Sequence, residues 1–127
     1  MEITFPGGVA VNANFDGFTV NSDQPAENGG KNAAPSPFKL FLASIGTCAG
    51  FYALSFCQQR QIDTTGMRLT LEPKRDSETR RLDQVKIIIH LPAGFPEKYK
   101  QTIIRVTDQC TVKKAIFDPP EFSVETA

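Results

Sequence analysis

The sequence predicts an α+β fold in which helices pack over antiparallel strands. Three observations support this prediction: apolar and polar residues alternate around Asp16-Gly17, residues 40–57 carry no charge, and alternation returns over residues 67–75 before a second strand-like segment over residues 82–91. Alternation is typical of half-buried strands, and a long apolar run between them is typical of a buried helix. The order strand–strand–helix–strand–strand–helix–strand then favours helices over one sheet.

Length and composition favour a single domain over residues 1–127, with enough apolar residues (40%) to form a core. Fourteen basic residues balance fourteen acidic ones, which argues against nucleic acid or an anionic membrane as a partner. Zero net charge also suits an oligomer. The first residues, MEITFPGG, lack the basic and apolar regions of a secretory signal, so we expect a cytoplasmic protein.

The N-terminal region predicts strands over residues 2–22. Alternation on both sides of Asp16-Gly17 indicates a hairpin, because both residues of such a turn adopt positive φ and these types tolerate it. Residues 23–35 are rich in Gly, Pro, Asn and Ala, which predicts a loop.

A long helix is predicted from Ser36-Pro37 onward. Ser36 can cap the helix, and Pro37 suits the first turn, where a missing N–H costs nothing. The uncharged run over residues 40–57 is also at the length threshold of a membrane span. Ser44, Thr47, Ser55, two glycines and strand-like flanks favour a buried central helix instead, packed against a second copy of the chain.

The C-terminal half predicts two strands followed by two short helical segments. The polar stretch between residues 75 and 82 connects the strands, and apolar residues after Pro96 recur with a roughly helical period. A second helical segment begins at Cys110 and ends before Asp118-Pro119-Pro120. The final residues, EFSVETA, alternate and predict a closing strand.

The cysteine pattern excludes two common roles. Cys48, Cys57 and Cys110 stand in a chain without a signal peptide, which argues against a disulfide framework. They lack the close paired spacings of a zinc site, and His90 is the only histidine, so we expect no metal. Redox chemistry or plain burial remain as their functions.

The sequence predicts a different environment for each cysteine. Cys57 follows Cys48 by nine residues, which places it on the opposite helix face, and we interpret it as core. Burial within the apolar helix would raise the pKa of Cys48, so its activation needs a partner from elsewhere in the fold. Cys110 lies in a first helical turn beside Lys113 and Lys114, which favours its thiolate. Taken from the residues alone, Cys110 has the stronger claim to reactivity, with a plain first-turn residue as the alternative.

The stretch APSPFKLFLASIGTCAGFYALSFCQQRQI, residues 34–62, resembles the central-helix signature of the OsmC/Ohr family, and Cys110 follows Cys48 at the family's spacing. The resemblance implies an OsmC-like fold, with antiparallel sheets packed on a long buried central helix in an intertwined homodimer. It further implies that Cys48 is a peroxidatic thiolate, which reduces an organic hydroperoxide and becomes a sulfenic acid. Cys110 would then resolve it as a disulfide, and an external thiol or dithiol would reset the enzyme without a cofactor.

This sequence departs from the family pattern at two positions. Active members use an N-terminal arginine to hold the thiolate, and a glutamate early in the central helix to hold that arginine. Here no arginine precedes Arg60, and Phe38 and Lys39 stand at the glutamate position. Lys31 and Lys39 are the only earlier basic residues. Lys39 is either a surface residue or a substitute for the arginine's charge.

Three functions follow as hypotheses. The first is a thiol peroxidase of the oxidative stress response, which the cysteine pair favours. The second is a non-enzymatic protein that binds a small apolar ligand at the dimer interface, which the missing arginine favours. The third is a redox sensor. Tyr52 could line a site, although a core aromatic is the better interpretation, and His90 is interpreted as structural.

Overall fold

The computed structural model describes residues 1–127 and confirms the α+β class. Its helices are α1 (Pro37–Gln59), α2 (Lys100–Thr107) and α3 (Thr111–Phe117), and its strands are β1 (Glu2–Gly7), β2 (Ala10–Phe15), β3 (Phe18–Ser22), β4 (Arg68–Arg75) and β5 (Leu82–His90). Single 3₁₀ turns cover Ala26–Asn28 and Glu97–Tyr99. The chain forms two compact units, Met1–Ala43 and Ser44–Ala127.

The N-terminal unit contains a three-stranded antiparallel sheet in the order β1-β2-β3. The predicted hairpin is confirmed: Phe15 pairs with Phe18, and the turn residues Asp16 and Gly17 have φ of 49° and 79°. Positive φ is costly for most side chains, so an Asp-Gly pair sets the register of these strands locally.

The loop after β3 is organised by one buried carboxylate. Asp23 accepts hydrogen bonds from the backbone N–H groups of Gln24 (2.8 Å), Lys31 (3.0 Å) and Ala33 (3.0 Å). These bonds lower the pKa of Asp23, with the bond from Ala33 contributing most. Lys31 therefore helps to hold this loop in place through its backbone N–H group.

Helix α1 begins where the sequence predicts, and the Ser36 carbonyl accepts a hydrogen bond from the N–H of Leu40 (3.0 Å). Its buried positions are Ile45, Ala49, Ala53, Phe56 and Cys57. Only 28% of its most apolar stretch is buried, and Phe51 is 63% exposed. Burial of the whole helix is therefore not found within one chain. By length and composition alone α1 could cross a membrane, a test that core helices of soluble proteins also pass.

The C-terminal unit pairs β4 with β5 as an antiparallel ladder that runs from Arg68 opposite His90 to Arg75 opposite Leu82. Its core consists of Ala53, Phe56, Cys57, Phe95 and Ile103. Residues from α1, the 92–96 turn and α2 thus meet in one cluster, because each segment presents its apolar face to the same volume.

Two sequence predictions are wrong within the single chain. The strands form two separate antiparallel sheets, as the family resemblance implied, rather than the one sheet expected from the order of the elements. Residues 121–127 form no strand, although Phe122 and Val124 alternate with polar residues as a strand would. Alternation gives a segment one apolar side, but it cannot supply a neighbouring strand. Without such a neighbour, residues 121–127 cannot form the ladder of hydrogen bonds that defines a strand. Phe122 and Val124 are accordingly 88% and 98% exposed.

Candidate active site

The structure brings the two predicted redox cysteines together. Cys48 lies midway along α1, and Cys110 immediately precedes α3. The Cys110 thiol is buried and donates a hydrogen bond to the carbonyl oxygen of Ile45, with a distance of 3.9 Å between sulfur and oxygen. Because Ile45 lies one helical turn before Cys48, this contact fixes the start of α3 against the Cys48 face of α1. Both thiols are free.

Cys48 has the partners that its own helix could not provide. Burial opposes its ionisation, but the backbone N–H groups of Val112 and Thr111, the S–H of Cys110 and the charge of Lys113 favour the thiolate. Together these partners lower the pKa of Cys48. A thiolate that is hydrogen-bonded and half-exposed is the form in which cysteine acts as a nucleophile.

Cys110 is shifted in the opposite direction. Burial raises the pKa of its thiol most strongly, and the neighbouring Cys48 sulfur raises it further, while the N–H groups of Lys113 and Val112 offset part of the effect. The first turn of α3 therefore offers N–H groups to both sulfurs, and only at Cys48 do the favourable contacts outweigh burial. The residues alone favoured Cys110, whereas the pKa directions favour Cys48, because burial and then the Cys48 sulfur raise the pKa of Cys110.

Lys113 supplies the cation of the site. Its ammonium forms an ion pair with the carboxylate of Asp108, and its side chain is only 19% exposed while that of Asp108 is 74% exposed. Lysine is seldom so well covered unless it is paired. Asp108 precedes Cys110 and Lys113 follows it, so the ion pair links the chain on the two sides of the cysteine.

Tyr52 also belongs to this neighbourhood. Its hydroxyl shares a hydrogen bond with the hydroxyl of Thr111, 3.0 Å away, and Tyr52 lies one turn after Cys48 on the same face of α1. The interpretation of Tyr52 as a core aromatic is incomplete, because its hydroxyl contacts the segment that surrounds Cys48. In the sequence, the four-residue spacing between Cys48 and Tyr52 was the signal that placed Tyr52 near the thiol.

The remaining candidates lie elsewhere. Cys57 is fully buried beside Met67, and burial raises its pKa, as its interpretation as core predicts. His90 forms a hydrogen bond across the β4–β5 ladder to Thr70 (3.0 Å). Lys39 is exposed and precedes Cys48 by nine residues on α1, which turns it to the opposite side of that helix. No group of three or more potential metal ligands is present.

A cavity of about 490 Å³ lies between β5 and α2. Its walls are mainly aliphatic, from Ile87, Ile89, Leu91, Ile103 and Ile104, and Lys113 and Asp108 lie at one side. Thr107 also lines it, and the buried hydroxyl of Thr107 has no hydrogen-bond partner. A cavity of this size and lining can take a small apolar molecule.

Comparison with known proteins identifies the family. A sequence profile of OsmC-like proteins matches residues 29–125 of this chain, which include both cysteines, Tyr52, Asp108 and Lys113. This chain belongs to the OsmC-like protein family. No curated protein matches it by sequence.

Solved structures of OsmC-like proteins share its fold. A candidate osmotic stress induced and detoxification response protein from Psychrobacter arcticus 273-4 superposes with a TM-score of 0.77 at 22% identity, over 90% of this chain and 85% of that one. The organic hydroperoxide resistance protein OsmC from Legionella pneumophila superposes with a TM-score of 0.56 at 17% identity, over 89% and 90%. At these identities the likeness establishes the fold of this OsmC-like protein and not its substrate.

Proposed function

We propose that this OsmC-like protein is a cytoplasmic thiol peroxidase that reduces organic hydroperoxides in the oxidative stress response. The observation that carries the proposal is the pairing of Cys48, whose pKa is lowered, with Cys110, whose pKa is raised. Such a difference supports Cys48 as the nucleophile and Cys110 as the resolving thiol. Family membership and a structural neighbour named for organic hydroperoxide resistance support the same class of activity.

In the first step the Cys48 thiolate attacks one peroxide oxygen. The O–O bond breaks, the alkoxide leaves and takes up a proton to become an alcohol, and Cys48 becomes a sulfenic acid. The thiolate must be ionised but accessible, and Cys48 is half-exposed. The N–H groups of Thr111 and Val112 hold its charge, in the place of the arginine that this sequence lacks before position 60.

In the second step Cys110 attacks the Cys48 sulfur, the S–O bond breaks, and the hydroxyl leaves as water with the proton of Cys110. This order follows from the charges at the site. The Cys48 thiolate raises the pKa of Cys110, and that charge disappears when Cys48 becomes a neutral sulfenic acid, so Cys110 becomes easier to deprotonate only after oxidation. An external dithiol then supplies two electrons and two protons to restore both thiols.

A homodimer is part of the proposal. Several apolar side chains of α1 are exposed in the single chain, namely Phe38, Phe41, Phe51 and Leu54. An apolar patch of this kind on a soluble protein marks an interaction surface, and a second copy would extend the burial of α1. The reaction as written needs no metal and no organic cofactor.

The peroxidase is tested by treating the reduced protein with one equivalent of an organic hydroperoxide. We expect a Cys48–Cys110 disulfide by mass spectrometry and sustained peroxide consumption with a dithiol. Cys48→Ser should abolish consumption, whereas Cys110→Ser should leave one turnover and trap the sulfenic acid of Cys48. Cys57→Ala is the control, with activity retained. If both thiols of the native protein stay reduced while a known peroxidase reacts, the proposal is wrong.

The cavity between β5 and α2 supports a second candidate function, the binding of a small apolar ligand without catalysis. Its aliphatic walls offer little chemistry, and Thr107 is one of the few polar residues that line it. A ligand of this kind would raise Tm equally in the native protein and in Cys48→Ser. Filling the cavity by Ile104→Trp should abolish that rise while leaving the peroxidase reaction intact.

A further inference from the structure

The contact between Tyr52 and Thr111 joins the two elements that build the thiolate site. Tyr52 belongs to α1 and Thr111 to the first turn of α3, and their hydroxyl oxygens are 3.0 Å apart. Three successive points on one face of α1 now touch the start of α3: the Ile45 carbonyl contacts Cys110, Cys48 contacts the N–H groups of Thr111 and Val112, and Tyr52 contacts the Thr111 side chain.

The spacing of these contacts places Tyr52 at one of two points where α1 is attached to the start of α3. Positions 45, 48 and 52 are three and four residues apart, which is the period of one helix face. Cys48 therefore lies between two attachments, the Cys110–Ile45 bond on one side and the Tyr52–Thr111 bond on the other. Loss of one attachment leaves the first turn of α3 free to pivot away from the Cys48 sulfur.

We propose that Tyr52 is a positioning residue for Cys48, whose hydrogen bond to Thr111 keeps the backbone N–H groups of Thr111 and Val112 directed at the Cys48 sulfur. This inference rests on the proposed use of Cys48 as the nucleophile. It explains how an OsmC-like protein without an N-terminal arginine stabilises a thiolate: main-chain donors take over, and a tyrosine hydroxyl holds them in place.

If Tyr52 had a purely structural role, its aromatic ring alone would fulfil that role. Tyr52 packs edge-on against Phe51 with ring centroids 5.7 Å apart, a contact that phenylalanine would keep. Tyr52→Phe thus removes only the hydroxyl, and Thr111→Val removes the partner hydroxyl at nearly constant shape. Thr111→Ser retains the hydroxyl and should behave like the native protein. Tyr99, the other tyrosine, packs on Phe56 in the core, and Tyr99→Phe is the matched control.

The experiment measures the rate of Cys48 alkylation by iodoacetamide as a function of pH. Tandem mass spectrometry separates Cys48 from Cys57, which share the tryptic peptide 40–60. We expect Tyr52→Phe and Thr111→Val to move the midpoint of the pH profile upward, so that the rate below the midpoint falls roughly two- to tenfold. The double variant should show no further shift, because both changes break one bond.

Three readouts decide the outcome. Alkylation of Cys57, which lies in the core away from α3, should stay unchanged, which excludes a general loosening of the fold. A shift in Tyr52→Phe no larger than that in Tyr99→Phe would overturn the proposal, as would additive shifts in the double variant. Because alkylation needs no peroxide, the failure of the peroxidase function would appear separately, as a reactive Cys48 thiolate that does not consume hydroperoxide.

Discussion

At the scale of single residues, two identical thiols acquire different chemistry from their neighbours. Cys48 is only half-buried and receives main-chain N–H groups and the charge of Lys113, whereas Cys110 is fully buried. Desolvation disfavours every thiolate, and specific hydrogen bonds decide which sulfur overcomes it. Under the proposed function this difference gives the pair an order of reaction, because Cys48 loses its proton more readily than Cys110 does.

Lys113 is expected to adjust the pH range of Cys48 reactivity. Its charge adds to the larger effects of the Val112 N–H, the Cys110 thiol and the Thr111 N–H in lowering the pKa of Cys48, so Lys113→Gln should raise that pKa. We expect the alkylation rate of Cys48 at neutral pH to fall by about twofold to threefold and to recover at higher pH. Lys114→Gln removes the same charge from the exposed neighbouring residue. Equal effects from both variants would contradict a specific contribution of Lys113.

Thr107 carries an unsatisfied group in the core of the C-terminal unit. Its hydroxyl is buried and makes no hydrogen bond, which costs free energy that an apolar side chain of the same shape avoids. Thr107→Val should therefore raise the free energy of unfolding by about 1 kcal/mol, measured by urea denaturation. Thr102→Val, on a half-buried residue of the same helix, is the comparison. A loss of stability on Thr107→Val would show that the hydroxyl has a partner in solution.

At the scale of elements, the loop over residues 23–33 depends on a carboxylate instead of an apolar core. Three backbone N–H groups converge on Asp23, and an anion accepts such bonds more strongly than a neutral group does. This loop precedes α1, so its order determines where the chain enters the helix.

Asp23→Asn tests this arrangement through pH. The folded pKa of Asp23 is lowered, so its contribution to stability is complete above the unfolded pKa of about 4 and disappears as pH falls through the folded value. We expect Asp23→Asn to lower Tm by several degrees at neutral pH, and the difference should shrink in acid. Asp83→Asn, at an exposed position of β5, changes net charge equally and should leave Tm nearly unchanged. A pH-independent loss in Asp23→Asn would contradict the charge argument.

At the scale of the whole molecule, one chain leaves much of its apolar surface uncovered. Phe51 lies beside the thiolate site and is 63% exposed, and Phe117 and Phe122 are more than 80% exposed. Surface of this kind favours association through the hydrophobic effect. The same uncovered surface accounts for the apolar composition of α1, which by length and composition alone would also suit a membrane span.

We expect the protein to sediment as a dimer without detergent, and Phe51→Glu to weaken that dimer by at least about tenfold, because a charge would enter an apolar interface. Analytical ultracentrifugation over a concentration series measures the change. Phe51→Leu keeps the position apolar and should stay dimeric. A monomer for the native protein, or an unchanged dimer in Phe51→Glu, would place the interface elsewhere or exclude it.

The sequence by itself determined the local elements, because local chemistry decides them. Asp16-Gly17 specifies the hairpin, Ser36-Pro37 starts α1, the alternation over residues 67–75 specifies β4, and the strand-like segment over residues 82–91 specifies β5. Cys57 could be assigned to the core from helix geometry alone. The resemblance to OsmC-like proteins added the pairing of Cys48 with Cys110, which the residues did not predict without it.

Only the tertiary structure decided how the cysteines are activated. The donors to Cys48 come from residues more than sixty positions later in the chain, and no periodicity encodes a contact at that separation. For the same reason the partner of Tyr52 and the low exposure of Lys113 could not be predicted. The final alternating segment failed as a strand because alternation describes one chain, whereas a strand is completed by its neighbour. Short sequence patterns thus specify the secondary structure, whereas the reactivity of a side chain depends on which distant groups folding brings to it.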